Sequence, residues 1–120
     1  RIQAVQSLWM LDDFELDNGA TRIVPASHFL DDRLYELPAE RKRQPHPGQA
    51  ILAGSAGTIV VFSTHLLHGG TCNVSGKRRR ALHSTFVPRD FDRDWEHRDW
   101  VTPEMRARLS RAQLAMLNVE

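Results

Sequence analysis

Cysteine is all but missing from this 120-residue chain: Cys72 stands alone, which excludes an internal disulfide and fits a reducing, cytoplasmic setting. Long hydrophobic runs are missing as well. The longest, such as "TIVVF", fall far short of the roughly 20 apolar residues that a membrane-spanning helix requires. Charge of one sign is not in excess, since 16 basic residues face 15 acidic ones for a net +1. That balance gives no bulk attraction to nucleic acid or to a membrane surface, so neither is expected as a partner. Repeats and low-complexity tracts are lacking, and "NVE" at the end matches no retention or peroxisomal address. What is present, 41% hydrophobic and 26% charged residues, is the make-up of an ordinary folded domain. The chain opens "RIQAVQSLWML" without a methionine and directly in a strand-like pattern, which predicts a piece of a longer domain.

The pattern along the chain predicts an all-β class with a C-terminal helix. Ile2 to Leu11 reads as a buried strand, and Asn18-Gly19 as a tight turn. "TRIVPAS" reads as a second strand that forms a hairpin with the first. Asp12, Asp13, Glu15 and Asp17, ahead of that turn, read as a solvated acidic stretch. Residues 29–49, with Pro38, Pro45 and Pro47, form a variable surface loop of the kind that carries specificity. "AILAG" and "AGTIVVFS" restore strand composition around Gly54 and Gly57. Thr102 as N-cap and Pro103 at the first helical position start a helix that Met105, Leu109, Leu114 and Leu117 carry to about Asn118. The organisation expected is a β core over 1–90 and an extension with helix over 91–120. Trp9, Trp95 and Trp100 are expected to pack rather than to stack on bases.

One stretch resists a purely structural reading. In "TIVVFSTHLLHGGTCNVSGKRRRAL" a histidine, His68, ends an apolar strand, and four bases follow the turn. A reversal centred near Asn73 and Val74 makes His68 and Arg79 cross-strand or diagonal neighbours, about 5 to 8 Å apart on one face. Arg78 and Arg80 point the other way, while His83 shares the Arg79 face, as a core residue or a substrate contact. Desolvation and a neighbouring cation both disfavour a charged imidazole, and a neutral imidazole is a metal ligand in waiting. A guanidinium in the same pocket calls for a carboxylate, best held by two parallel bonds. The combination points to a metal with an anionic small molecule; a satisfied core histidine beside an exposed basic turn is the plainer alternative.

"LDNGATRIVPASH" followed by "GTIVVFSTHLLHGGTCNVSGKRRRAL" closely resembles the phytanoyl-CoA dioxygenase family, which includes ectoine hydroxylase. The family pattern has Asn-Gly and Pro-x-Ser-His in the first stretch, supplied here by Asn18-Gly19 and Pro25-Ala26-Ser27-His28. In the second it has an iron-binding histidine, then asparagine, serine and arginine five, seven and eleven residues on, supplied by His68, Asn73, Ser75 and Arg79. The resemblance implies a double-stranded β-helix (a jelly-roll or cupin-like fold) of which the N-terminal portion is missing. It implies an Fe(II)- and 2-oxoglutarate-dependent dioxygenase that uses O2 to hydroxylate a small molecule or acyl conjugate, releasing succinate and CO2. His68 then corresponds to the distal iron ligand, Arg79 to the clamp on the far carboxylate of 2-oxoglutarate, and Gln6 to a polar contact with that co-substrate. His65, three residues earlier, does not match the motif. Ala26 stands where the motif commonly has glycine.

One departure limits what this stretch of chain can do alone. Non-haem iron oxygenases use two histidines and a carboxylate on one face of the metal, and the family places the first two in a His-x-Asp motif ahead of the strand that opens this chain. No such motif stands there; "HRD" at His97 follows the distal histidine, and "HFLDD" at His28 belongs to the Pro-x-Ser-His element. These 120 residues are therefore expected to bind iron poorly and to be inactive by themselves. The missing motif also separates a hydroxylase from a halogenase of the same fold, where a small residue replaces the carboxylate, and from a binding-only jelly roll that holds no metal.

Overall fold

A computed structural model describes residues 4–30, 38–40, 44–91 and 97–120 of the chain. The chain divides into two units, 1–87 and 88–120.

Among the described residues the first unit has six strands: β1 (Val5–Met10), β2 (Arg22–Ile23), β3 (Ala50–Ile51), β4 (Ile59–Ser63), β5 (His68–Gly69) and β6 (Ala81–Phe86). They form two three-stranded antiparallel sheets, ordered β4-β1-β6 and β3-β2-β5. The hairpin expected between the first two strands does not form. After β1 the chain leaves its sheet and pairs β2 with β3 and β5 in the other one. Asn18-Gly19 is a turn, but a crossing turn between sheets, with Gly19 at φ +81°.

Register explains the core. Gln6 lies opposite Phe62 and Thr85, Leu8 opposite Val60 and His83, and Met10 opposite Ala81. Paired residues share a face and alternate residues return to it, so these side chains line one side of the β4-β1-β6 sheet. Leu8, Met10, Phe14 and Ala20 are buried at its centre, with Ile51, Leu52, Val60, Phe62 and Ala81 packed around them. Ile51 and Leu52 come from the region of β3, so this core joins the two sheets. Truncating Leu8 or Met10 to alanine should cost about 2 to 5 kcal/mol. The opposite face carries Trp9, Ile59, Val61, Leu82 and Phe86, all exposed. Trp9, expected to pack, instead lays its indole across the strand and donates Nε1–H to Ser7 Oγ at 3.0 Å, and it stays 43% exposed.

The apolar run before His68 is not one continuous strand. β4 stops at Ser63, a turn follows, and Leu66 is buried before β5 begins. The reason lies in competing bonds from the second sheet: Val24 N–H donates to Leu67 O at 2.8 Å, and Leu67 N–H donates to Ser27 Oγ at 2.8 Å. Ser27, 2% exposed, thus anchors the segment that delivers His68. The acidic stretch is also more than solvated surface. Asp12 accepts three bonds from Arg80, at 2.7 Å from its N–H and at 2.9 and 2.7 Å from its guanidinium, and Asp13 Oδ1 accepts the Ala56 N–H at 2.8 Å.

In the second unit, the helix expected through Asn118 is two short helices, α1 (Pro103–Arg108) and α2 (Arg111–Met116). Thr102 caps the first as expected, accepting from Met105 N–H. The break comes from Ser110, whose side chain accepts Gln113 N–H while Gln113 reaches back to the Ser110 N–H. That capping box starts a new helix at the point where the periodic leucines alone predicted continuation. Trp100 is 75% exposed rather than packed; Trp95 lies outside the described residues, as do Arg33 and Tyr35 of the 29–49 loop. Among the described residues no helix is long and apolar enough to cross a membrane.

Candidate functional site

His68 begins β5 with its backbone paired to Ile23, and it is exposed rather than buried in apolar surroundings. Its Nδ1 lies 2.8 Å from Leu66 O. A carbonyl only accepts, so in the neutral ring the proton sits on Nδ1 and the Nε2 lone pair is free. This is the arrangement that metal-binding histidines use, with the second nitrogen held by a backbone oxygen. Among the described residues no group of three His, Cys, Asp or Glu side chains is gathered to hold a metal ion.

Two further rings lie beside His68. Phe62 on β4 meets His68 edge-on at 5.2 Å between centroids and lies over His83 at 6.2 Å, tilted by 26°. The two imidazoles are 6.5 Å apart and nearly perpendicular. Gln6, the second residue of β1, has its side-chain oxygen buried and without a hydrogen-bond partner. Register puts it beside Phe62 and Thr85, on the face that also carries His83.

Arg79 precedes β6 and turns inward. Its guanidinium carbon lies 4.6 Å from the centroid of the Phe14 ring, and Nη2 donates to Gly19 O at 2.6 Å. Nε is buried and makes no hydrogen bond. A buried donor left unpaired costs of order 1 to 3 kcal/mol, more when the group is charged. Arg80, next in sequence, points the other way into its pair with Asp12, and Lys77 approaches Glu15 at 3.8 Å. The Arg80 side chain, by hydrogen bonding first of all, holds the Asp12 carboxyl well below the usual range, at about 2.

His68 and Arg79 are not brought together by a hairpin. β5, which begins with His68, pairs with β2, and β6, which Arg79 precedes, pairs with β1 in the other sheet. Asn73, expected near the tip of a simple reversal, instead bridges to Asn18. Its side chain closes its own turn, donating to Lys77 O at 2.8 Å and accepting from Ser75. The opposite directions of Arg79 and Arg80 agree with the alternation expected. Phe14, Gly19 O and Phe62 were not singled out by sequence; the signal available for Phe14 was one aromatic residue in the middle of an acidic run.

The fold of two antiparallel sheets has solved counterparts. The crystal structure of apo HygX from Streptomyces hygroscopicus superposes with a TM-score of 0.65 at 22% identity, over 87% of this chain and 45% of that one. HygX with nickel and 2-oxoglutarate bound superposes with a TM-score of 0.59 at 24% identity, over 87% and 44%. In sequence, the profile of the phytanoyl-CoA dioxygenase (PhyH) family matches residues 1–81, and the chain belongs to that family. Dioxygenase olcK of Penicillium canescens is 39% identical over 82 residues, covering 68% of this chain and 24% of its own length. Dioxygenase trt7 of Aspergillus terreus is 34% identical over 91 residues, covering 73% and 28%. The chain thus spans about a quarter of the length of these curated relatives.

Proposed function

We propose that residues 1–87 are the C-terminal part of a double-stranded β-helix domain, and that the intact protein is an Fe(II)- and 2-oxoglutarate-dependent dioxygenase acting on a small molecule. The observation that carries this reading is His68 Nδ1 held by Leu66 O, which in the neutral ring leaves the Nε2 lone pair open to a metal. Family membership and the nickel and 2-oxoglutarate in HygX support it.

The residues present fit the groups implied. His68 would supply one iron ligand through Nε2, with the remaining two from outside this chain. Arg79 offers a fixed cation with an unmade bond at Nε, which suits one carboxylate of a dicarboxylic acid. Gln6 offers a buried amide that lacks a partner. When bound, an iron(II) centre with O2 supplies the oxidising power, while 2-oxoglutarate, converted to succinate and CO2, supplies two of the electrons. The protein's part is to bind, orient and shield. Arg79 holds the end of the co-substrate that does not react, Phe62 supplies an apolar wall beside His68, and His83 and Thr85 continue that face outward.

The test is conversion of 2-oxoglutarate to succinate by the intact protein, with and without iron(II). The reading expects succinate only when both are supplied, and none from the His68→Ala variant. Iron-independent turnover, or full activity of the variant, would remove it.

A further inference from the structure

We propose that Phe14 is a positioning residue for the co-substrate: its ring face, together with Gly19 O, fixes the Arg79 guanidinium in the orientation that receives a carboxylate. This rests on the reading of Arg79 as the carboxylate clamp.

Arginine is a costly choice for a rigid anchor. Its side chain has about 2 kcal/mol of rotamer entropy to lose, and Arg79 precedes β6, so no strand fixes its backbone. Something else must hold it before the ligand arrives. The guanidinium carbon lies over the Phe14 ring, 4.6 Å from its centroid, and Nη2 donates to Gly19 O at 2.6 Å. A cation held by a ring face makes no hydrogen bond there and keeps its N–H groups for acceptors, and here Nε–H is the buried donor still unpaired.

Both holding groups are themselves rigid. Phe14 is 2% exposed, and its backbone exchanges two bonds with Gly54, N–H to O at 2.8 Å and the return at 3.0 Å. Asn18, 3% exposed, ties the loop between them, accepting Glu15 N–H at 2.9 Å and donating to Asp13 O at 2.8 Å. Gly19 sits against Asn73, where an added Cβ would lie 3.1 Å from the Asn73 Cβ. The ring therefore offers more than volume. Its negative face compensates a desolvated positive charge while leaving the donors free for an anion.

Graded fluorination at position 14 separates this role from packing, because mono-, di- and trifluorophenylalanine drain the ring face with little change in shape. In the intact protein loaded with nickel(II), 2-oxoglutarate is titrated calorimetrically for each variant and each is melted thermally. We expect Kd to rise stepwise to about tenfold for the trifluoro ring, with the melting temperature unmoved. In an Arg79→Gln background the same series should leave Kd unchanged. Phe14→Leu should weaken binding in the same direction while also lowering the melting temperature. A flat Kd across the series, with Arg79→Gln still weakening binding, overturns the role of Phe14 and leaves the clamp standing. Equal weakening in both backgrounds overturns it too. An Arg79→Gln variant that binds 2-oxoglutarate normally overturns the clamp itself.

Discussion

Arg79 and Arg80 are neighbours in sequence and opposites in chemistry. Arg80 lies on the outside, its guanidinium and backbone N–H all directed at Asp12. Arg79 is turned inside over an aromatic ring, with one donor still unpaired. The same contrast runs through the rest of the molecule. Asn18, Ser27 and Asn73 make local bonds that close turns and anchor segments. Gln6 and Arg79 keep buried polar atoms without partners. Leaving such atoms unpaired costs stability and calls for an explanation. The proposed site supplies one for Gln6 and Arg79, while His28 Nδ1, also buried and unpaired, is no part of it.

Substitution on each side of that divide should separate function from stability. The largest effect belongs to His68→Ala: succinate formation by the intact protein should fall at least about a thousandfold, the scale of a lost catalytic metal. Thermal stability should move by less than about 0.5 kcal/mol, because the imidazole is exposed. Arg79→Gln should weaken 2-oxoglutarate about a hundredfold, as expected for a charge-assisted pair losing one partner, with only a small change in stability, because the lost bond to Gly19 O is offset by removal of an unpaired buried donor. A large loss of stability in either variant would erase the distinction.

Arg80→Ala should do the reverse, leaving 2-oxoglutarate affinity unchanged and shifting acid unfolding. With its pKa depressed to about 2, Asp12 stabilises the fold fully above the ordinary carboxylate value of roughly 4, and the contribution disappears as pH falls through about 2. Removing Arg80 should therefore raise the pH at which acid unfolding begins, as circular dichroism at decreasing pH would report. The smallest effect is expected at Ala26, which has a left-handed backbone at φ +61°. Ala26→Gly should be neutral or stabilising by up to about 1 kcal/mol in thermal melts, with no change in turnover.

How much of this was legible in the sequence depends on whether local or distant bonds decide. Thr102 and Pro103 start a helix because capping is local, and the inward faces of β1 and β6 follow from alternation. The pairing of strands was not legible. Asn18-Gly19 has the chemistry of a hairpin turn, yet β2 pairs with β3 and β5, strands 27 or more residues away, and only those partners decide which sheet it joins. The break in the run before His68 has the same origin, since Ser27 and Val24 capture Leu67 from 40 or more residues away. His68 and Arg79 stood out because their spacing matches a family motif. Phe14, which supports Arg79 from a stretch that reads as acidic surface, carried no comparable pattern.

The most direct single test is nitrogen-detected NMR of the His68 imidazole in the intact protein, titrated with zinc(II) as a diamagnetic substitute for iron. A ring protonated on Nδ1, whose Nε2 resonance shifts by the amount typical of metal coordination when zinc is added, is the predicted result. A ring that carries its proton on Nε2, or an Nε2 resonance indifferent to zinc, would contradict it.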